Sequence, residues 1–215
     1  MVDCGAGVLS RLFAVLPVEN LTGVILSHLH SDHVNDFFVL RYALEVARHQ
    51  GRRVEPLPVW APAEPSAEFA RLAYRDVITL NGVTEGEELM LGRLRAAPFP
   101  GKHSLPVYGW RFQFDDSVLV YSADTEYDPR LVFQAEGADL FLCEATFTAA
   151  QLDQGLKGHL SGQQAAMIAR EAQVGRLLLT HLSPAQDLNV VLAEARAEFL
   201  LTELAEEGKV YTLTT

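Results

Sequence analysis

The 215-residue chain is poor in cysteine and has no long apolar run. Its two cysteines, Cys4 and Cys143, argue against a disulfide framework and favour reduced thiols in a cytoplasm. No apolar run approaches the roughly 20 residues that a membrane-spanning helix needs. The first residues also lack the basic and apolar stretches of a secretory signal. We therefore expect a cytoplasmic protein that does not enter a membrane.

Positive charge is scarce as well: 28 Asp and Glu residues outnumber 17 Lys and Arg residues, which gives a net charge of −11. A field of this sign repels nucleic acids on approach, although a local site can still hold a small anion. Hydrophobic residues make up 49% of the chain, so we expect a packed core and exclude global disorder.

Short apolar runs alternate with helical patterns along the whole chain, which predicts an α/β fold. Residues 36–50 carry apolar side chains on one helical face, and residues 161–164 have the form of a capping box that begins a helix. We also predict a helix over residues 189–206 and a last strand over residues 210–213. The main predicted strands cover residues 23–27, 59–61, 77–80, 117–122, 140–143 and 176–180.

The most informative segment is residues 28–33, which follow an apolar run and have the pattern H-x-H-x-D-H. In an extended segment the side chains alternate, so His28 and His30 project to the same side and can bind one metal ion. Asp32 and His33 fall where the chain turns into the next helix, and they offer a carboxylate and an imidazole to a second ion. Zinc accepts this mixture of oxygen and nitrogen ligands.

This pattern resembles the signature of the metallo-β-lactamase superfamily. The resemblance implies an α/β fold of αββα type, a four-layer sandwich with a dinuclear metal site between two sheets. We expect one such domain over residues 1–215. The residues that match the other motifs of the family occur in order along the chain and are Asp3, His103, Asp124 and His181.

The resemblance also implies the ligands of two divalent metal ions, with zinc as the expected metal and manganese as the alternative. The expected ligands of the first ion are His28, His30, His103 and Asp124, and those of the second are Asp32, His33, Asp124 and His181. Asp124 would therefore bridge both ions. Asp32 would also orient the nucleophile, and Asp3 would orient ligand histidines without binding metal itself.

One further histidine, His159, indicates the branch of the superfamily. Glu144 at the end of a predicted strand, followed by G-H-x-S and T-H-x-S, resembles the phosphodiesterase branch that includes the tRNA 3′-processing endonuclease RNase Z. Carried over, Glu144 would hold His159 as an imidazolium that protonates the leaving group. Ser161, at the start of the following helix, would bind the substrate. The alternative is that Glu144 and His159 are ordinary polar residues of loops.

Two departures limit this resemblance. RNase Z enzymes carry a long basic arm between the motif histidine and the bridging aspartate, whereas a single hairpin separates His103 from Asp124 here. Together with the negative charge, this makes folded tRNA a poor substrate, and small bacterial members without the arm match better. The family also places one or two strands before the motif aspartate, which is Asp3 here, so we expect that the N-terminal strands are truncated.

The predicted function is the metal-dependent hydrolysis of small or cyclic phosphodiesters. An acyl, thioester or lactone hydrolase is the alternative, because the same metal ions activate water for attack on a carbonyl. A non-catalytic metal-binding protein is a third interpretation, and the intact ligand set argues against it. The sequence leaves open which phosphodiester is used and whether the chain forms a homodimer.

Overall fold

The computed structural model describes residues 1–213, which form two compact units. The first unit ends at Thr84 and the second begins at Glu85. Each unit has its own β-sheet and its own apolar core. Among the helices of the described residues, none combines the length and the apolar character that a membrane span requires. The expectation of a single domain over residues 1–215 stays a prediction.

The first unit contains a sheet of three parallel strands and four α-helices. Its elements are α1 (Val8–Val15), β1 (Val24–Ile25), α2 (Ser31–Val34), α3 (Phe37–His49), β2 (Leu57–Pro62), α4 (Ser66–Leu72) and β3 (Ile78–Val83). The strand order is β1-β2-β3. Helix α3 buries Phe37, Leu40 and Leu44 completely, because these residues recur on one face at helical spacing. The helix predicted over residues 36–50 is thus confirmed.

Backbone hydrogen bonds tie the first residues of the chain to β1 and to α2. The Asp3 amide donates to the carbonyl of Ile25, and the Cys4 amide donates to the carbonyl of His33, both at 2.8 Å. Gly5 comes so close to α2 that a Cβ there would lie 1.7 Å from the carbonyl oxygen of Asp32. This close approach admits only glycine and fixes the H-x-H-x-D-H segment against residues 3–5.

The second unit contains a mixed sheet of seven strands and four α-helices. Its elements are β4 (Leu89–Leu91), β5 (Leu94–Pro100), β6 (Tyr108–Phe114), β7 (Ser117–Tyr121), α5 (Arg130–Ala135), β8 (Leu140–Glu144), α6 (Ala149–Asp153), α7 (Gly162–Glu171), β9 (Leu177–Thr180), α8 (Leu188–Glu198) and β10 (Thr202–Leu204). The strand order is β10-β9-β8-β7-β6-β5-β4. Strands β7 to β10 are parallel, and β4 to β7 pair in antiparallel fashion.

This topology gathers four chain segments at one edge of the second sheet. Strands β7, β8 and β9 run in the same direction. Strand β5 also shares this direction, because it is antiparallel to β6, which is antiparallel to β7. Their carboxyl ends therefore meet at the same edge, where parallel sheets place their functional residues. His103, Asp124, Glu144 and His181 lie at or just after these strand ends.

Helix α7 packs closely against α8 through small residues. Ala165, Ala166 and Ala169 are fully buried, and a Cβ on Gly162 would lie 2.6 Å from the carbonyl oxygen of Val191. The predicted capping box at residues 161–164 is confirmed. The hydroxyl oxygen of the capping serine accepts the amide of Gln164, whose side chain reaches back to the serine amide.

The C-terminal prediction was wrong in two places. The helix predicted over residues 189–206 ends at Glu198, and the chain then forms β10, which pairs with β9. The pairing of Thr202–Leu204 with the edge of the sheet therefore outweighs the helical pattern, as tertiary contacts commonly override local propensity. Residues 210–213 form no strand.

Replacing Gly5 with Ala is expected to destabilise the protein, because the new methyl group would overlap the carbonyl oxygen of Asp32. Overpacking of this kind costs about 1–3 kcal/mol, and each kcal/mol lowers the Tm of a chain of this size by about 2–4 °C. Thermal unfolding of the metal-free protein measures the effect. Gly82→Ala is the control, because Gly82 is exposed and its nearest neighbour is a side chain at 3.3 Å. An unchanged Tm for Gly5→Ala would contradict the close packing.

Candidate metal centre

The first unit brings three motif histidines together directly after β1. The ring centroids of His28 and His30 are 4.8 Å apart, and those of His28 and His33 are 4.1 Å apart. The Nε2 atom of His28 lies 3.0 Å from the Nδ1 atom of His30. Two imidazole nitrogens at this separation are placed as neighbouring ligands of one ion, which is the arrangement predicted for His28 and His30.

Asp3 and Ser27 orient two of these histidines. The Asp3 carboxylate accepts the Ser27 amide at 2.7 Å and the Ser27 hydroxyl at 2.9 Å, and it lies 2.9 Å from Nδ1 of His33. The Ser27 oxygen in turn lies 3.1 Å from Nδ1 of His28. With Nδ1 held as the donor in both rings, Nε2 becomes the nitrogen that can bind a metal ion. This is the geometry required for the predicted orienting role of Asp3.

Asp32 lies in the first turn of α2, next to His33. Its Oδ2 atom is 3.6 Å from Nε2 of His33, and its side chain is 63% exposed. Among the candidate ligands of the first unit, Asp32 is therefore exposed to solvent, whereas His28 and His33 are buried. An exposed carboxylate beside a buried imidazole suits its predicted double role as ligand and as orienter of the nucleophile, and both roles stay predictions.

Asp124 is the central carboxylate of the second unit. Its Oδ2 atom lies 3.2 Å from Nε2 of His181 and 4.0 Å from Nε2 of His103. Asp124 is only 2% exposed. One buried carboxylate thus faces the Nε2 atoms of two imidazoles, as the predicted bridging ligand requires.

Outer hydrogen bonds also select the metal-binding nitrogen of these two histidines. Nδ1 of His103 lies 2.9 Å from the carbonyl oxygen of Gly158, which can only accept. Nδ1 of His181 lies 2.8 Å from the hydroxyl of Thr146, and this hydroxyl donates to Glu144 at 2.9 Å. In both rings Nδ1 carries the proton, so Nε2 is the nitrogen that faces Asp124.

Glu144 is fully buried and binds His159, as the predicted pairing of these residues requires. Its Oε1 atom accepts the Thr125 amide at 2.6 Å and lies 3.1 Å from Nδ1 of His159. Its Oε2 atom accepts the Thr146 hydroxyl at 2.9 Å and the Leu160 amide at 3.1 Å. Four donors thus satisfy a carboxylate that would otherwise be costly to bury. The part of the pair in a reaction stays a prediction.

Aromatic rings hold the imidazole of His159 on several sides. It stacks on His181 with ring centroids 5.2 Å apart and planes at 17°, and it meets Phe147 edge-on at 5.5 Å. The ring of His103 lies 5.1 Å away. The His159 side chain is nevertheless 20% exposed. The ring is therefore fixed in position while one edge faces solvent.

Ser161 is the N-cap residue of helix α7. Its side chain is fully buried, and its hydroxyl oxygen accepts the Gln164 amide at 3.2 Å as the cap of α7. The bond anchors the loop that carries His159. The predicted contact of Ser161 with substrate stays a prediction.

Three of the site segments contain a non-glycine residue with left-handed backbone. Asp3, Ala123 and His181 have φ values of 52°, 52° and 51°. Such residues cost about 1–3 kcal/mol each and are concentrated at functional sites. Here they allow the chain to turn sharply after a strand and to aim a side chain back across the strand end.

The donor atoms fit a divalent zinc or manganese ion. The candidate ligands are imidazole nitrogens and carboxylate oxygens, which both metals accept. Neither thiol competes with them. Burial and the nearby Asp36 and Asp3 carboxylates raise the pKa of Cys4 to about 12, and burial also raises the pKa of Cys143. Both cysteines are buried and free.

Apart from Asp3, the groups that orient the histidines could not be predicted from the sequence. Ser27, Thr146 and the carbonyl of Gly158 bind the Nδ1 atoms of His28, His181 and His103. Serine, threonine and glycine are common after strands and in turns, so nothing in their spacing distinguishes them. Their positions beside motif residues were the only available signal.

Asp3→Asn is expected to weaken metal binding by about 10- to 100-fold, as loss of an outer partner of a ligand histidine typically does. If the asparagine directs its NH2 group at Nδ1 of His33, two hydrogen-bond donors face each other, and the proton on Nδ1 has no acceptor. Competition with a chelator measures the affinity. Asp116→Asn removes the same charge in the exposed turn between β6 and β7 and serves as the control. Equal affinities of the two variants would contradict the orienting role of Asp3.

Comparison with known proteins identifies the family of the chain. Residues 1–182 match the family model described as a β-lactamase superfamily domain. The probable metallo-hydrolase YhfI of Bacillus subtilis is 34% identical over 182 residues, which is 85% of this chain and 74% of that protein. Ribonuclease BN of Cronobacter sakazakii is 26% identical and is covered to 89%, with 99% of this chain aligned.

The crystal structure of YhfI from Bacillus subtilis, a metallo-β-lactamase fold protein, is similar with a TM-score of 0.93. The two chains are 33% identical, and the match covers 98% of this chain and 85% of YhfI. The predicted fold class and the predicted resemblance to RNase Z-like proteins are thereby confirmed. The chain belongs to the β-lactamase superfamily.

Proposed function

We propose that this chain is a dinuclear metal-dependent phosphodiesterase that hydrolyses small or cyclic phosphodiesters. The observation that carries the proposal is the contact between Glu144 and His159, with 3.1 Å between Oε1 and Nδ1. Hydrolysis of an unactivated phosphodiester releases an alkoxide, which leaves readily only if it receives a proton. An imidazole held by a buried carboxylate is suited to donate that proton.

Two sets of histidines and aspartates would hold the two ions. The proposed ligands are His28, His30, His103 and Asp124 for one ion, and Asp32, His33, Asp124 and His181 for the other. When bound, such ions lower the pKa of water and polarise a phosphoryl oxygen. Zinc is the metal proposed, and manganese suits the same donors.

Residues of the chain would orient the attacking water and protonate the leaving group. Asp32, which is exposed, would orient the attacking water. As the bond between phosphorus and the leaving oxygen breaks, His159 would give its proton to that oxygen. Because Nδ1 of His159 is engaged with Glu144, Nε2 is the nitrogen that would donate. Glu144 would stabilise the positive charge on the ring before the transfer.

A small substrate is favoured over a folded RNA. Residues 108–121 form only the hairpin of β6 and β7, so no arm is inserted between His103 and Asp124 among the described residues. The overall charge of −11 gives no substitute for a basic arm. An acyl or thioester hydrolase would use the same ions, but it would not require a proton donor of this kind for its better leaving groups.

Purified without chelator, the protein is expected to contain two transition-metal ions per chain. Asp124→Ala should lose both ions, because the proposed bridge contacts each of them. Elemental analysis of folded samples measures both quantities, and circular dichroism confirms the fold. One ion or none in metal-replete wild type would contradict the ligand assignment. Loss of a single ion from Asp124→Ala would place the bridge elsewhere.

His159→Ala should slow the hydrolysis of a diester with an alkyl leaving group by about 10²- to 10⁴-fold. A diester with a 4-nitrophenyl leaving group should be affected much less, because nitrophenolate leaves without a proton. Steady-state kinetics on the two diesters measures this difference. His49→Ala is the control, since His49 is exposed on α3.

Two results would contradict this role of His159. Equal slowing of both diesters would show that His159 does not protonate the leaving group. Loss of metal from His159→Ala would show that the histidine is a ligand.

A further inference from the structure

An open pocket of about 230 Å³ lies beside His159 in the second unit. Besides His159, it is lined by Glu126, Tyr127, Leu152, Leu156, Lys157 and Gln164. Pockets that enclose a whole small-molecule ligand generally measure about 300–1,000 Å³. A pocket below that range, open at one side, is sized for one part of a substrate.

We propose that this pocket binds the leaving group of the substrate, and that it favours a flat ring that carries a second negative charge. The assignment to the leaving group rests on the proposed function. Since His159 would protonate the leaving oxygen, the group attached to that oxygen would lie beside His159, and His159 lines this pocket. A ring with a carboxylate or phosphate substituent has the required chemistry.

The apolar walls of the pocket fit a flat ring. Tyr127 and Leu156 remain 36% and 40% exposed, although they are large and apolar, and Leu152 lies between surface and core. A tyrosine ring offers a flat face on which another ring can stack. Covering these three side chains with an aromatic group would remove apolar surface from water.

The polar groups of the pocket fit a negative charge. Glu126 is already matched, because it accepts Lys102 at 2.7 Å and the Gly158 amide at 3.1 Å. Lys157 lies within electrostatic range of Glu126, but among the described residues it forms no ion pair. The three charges of Lys102, Glu126 and Lys157 therefore leave one positive charge at the pocket.

Gln164 adds a neutral donor to this wall. Its Oε1 atom accepts the Ser161 amide at 3.4 Å as part of the capping box. That bond fixes the orientation of the side-chain amide, so its nitrogen is the polar atom available for a ligand. A donor next to Lys157 suits the oxygen atoms of a carboxylate or phosphate.

The loop that carries the pocket is fixed to the proposed acid. A β-bridge between Phe147 and Ser161 closes the loop at its base. Gly158 is held from both sides, because its amide donates to Glu126 and its carbonyl accepts from His103. Its φ of 96° is accessible mainly to glycine. The backbone positions of Lys157 and His159, which flank Gly158, are therefore fixed relative to each other.

The test compares two diesters that differ only in the charge of the leaving group: methyl 4-nitrophenyl phosphate and methyl 3-carboxy-4-nitrophenyl phosphate. The readout is the ratio of their kcat/KM values in each variant, because the difference in intrinsic reactivity cancels between variants. Lys157→Ala should lower the preference for the carboxylated diester by about 3- to 5-fold, because KM for that diester rises. A loss of this size is typical of a partly exposed ion pair. Lys157→Glu should lower the preference further.

Tyr127→Ala should raise KM for both diesters by a similar factor, because ring stacking does not depend on the carboxylate. Lys209→Ala is the matched control, since the chain has only three lysines and Lys209 is paired with Glu206 outside the pocket. If both Lys157 variants keep the ratio of kcat/KM values that the wild type shows for the two diesters, the proposal is overturned. Metal content is measured throughout, so that a loss of ions is not mistaken for a loss of the pocket.

A binding measurement separates this proposal from the proposed function. If the wild type hydrolyses neither diester, the phosphodiesterase assignment fails, and the pocket is tested with the free product 3-carboxy-4-nitrophenol by calorimetry. The Kd should rise at least 3-fold in both Lys157→Ala and Tyr127→Ala and stay constant in Lys209→Ala. An equal Kd in all four proteins, or no binding to the wild type, would overturn the pocket as well.

Discussion

The outer hydrogen bond on four of the five candidate ligand histidines is the constraint on which the site depends. An imidazole presents the correct nitrogen to a metal ion only if its other nitrogen has a fixed partner. In this chain Ser27, Asp3, Gly158 and Thr146 provide these partners, each within 3.1 Å of an Nδ1 atom. The strand ends, the left-handed turns and the close approach of Gly5 all serve to hold these partners in place.

Glu144 links this constraint to the proposed proton transfer. Through Thr146 it supports the orientation of His181, and through its other oxygen it binds His159. Its two backbone donors, from Thr125 and Leu160, belong to the segments that carry Asp124 and His159. One buried carboxylate therefore contacts both the segments that carry candidate metal ligands of the second unit and the candidate acid.

The sequence indicated candidate site residues that lie close together within each unit, but it mispredicted the end of the fold. The pattern H-x-H-x-D-H, Asp124 and His181 were recognisable because metal chemistry requires particular residue types at strand ends. The helix over residues 189–206 was too long, because the pairing of Thr202–Leu204 with β9 depends on a distant segment. The pocket beside His159 was not predictable either, since it depends on the shape of the loop around Lys157.

The proposed hydrolysis of phosphodiesters with metal ions as cofactors is tested most directly by the activity of the metal-replete wild type on three substrates. These substrates are bis(4-nitrophenyl) phosphate, 4-nitrophenyl phosphate and an acyl thioester. We predict clear turnover of the diester, abolished by a chelator and restored by zinc or manganese, with the monoester and the thioester hydrolysed far more slowly. Efficient cleavage of the thioester without cleavage of the diester would contradict it and establish the acyl-hydrolase alternative.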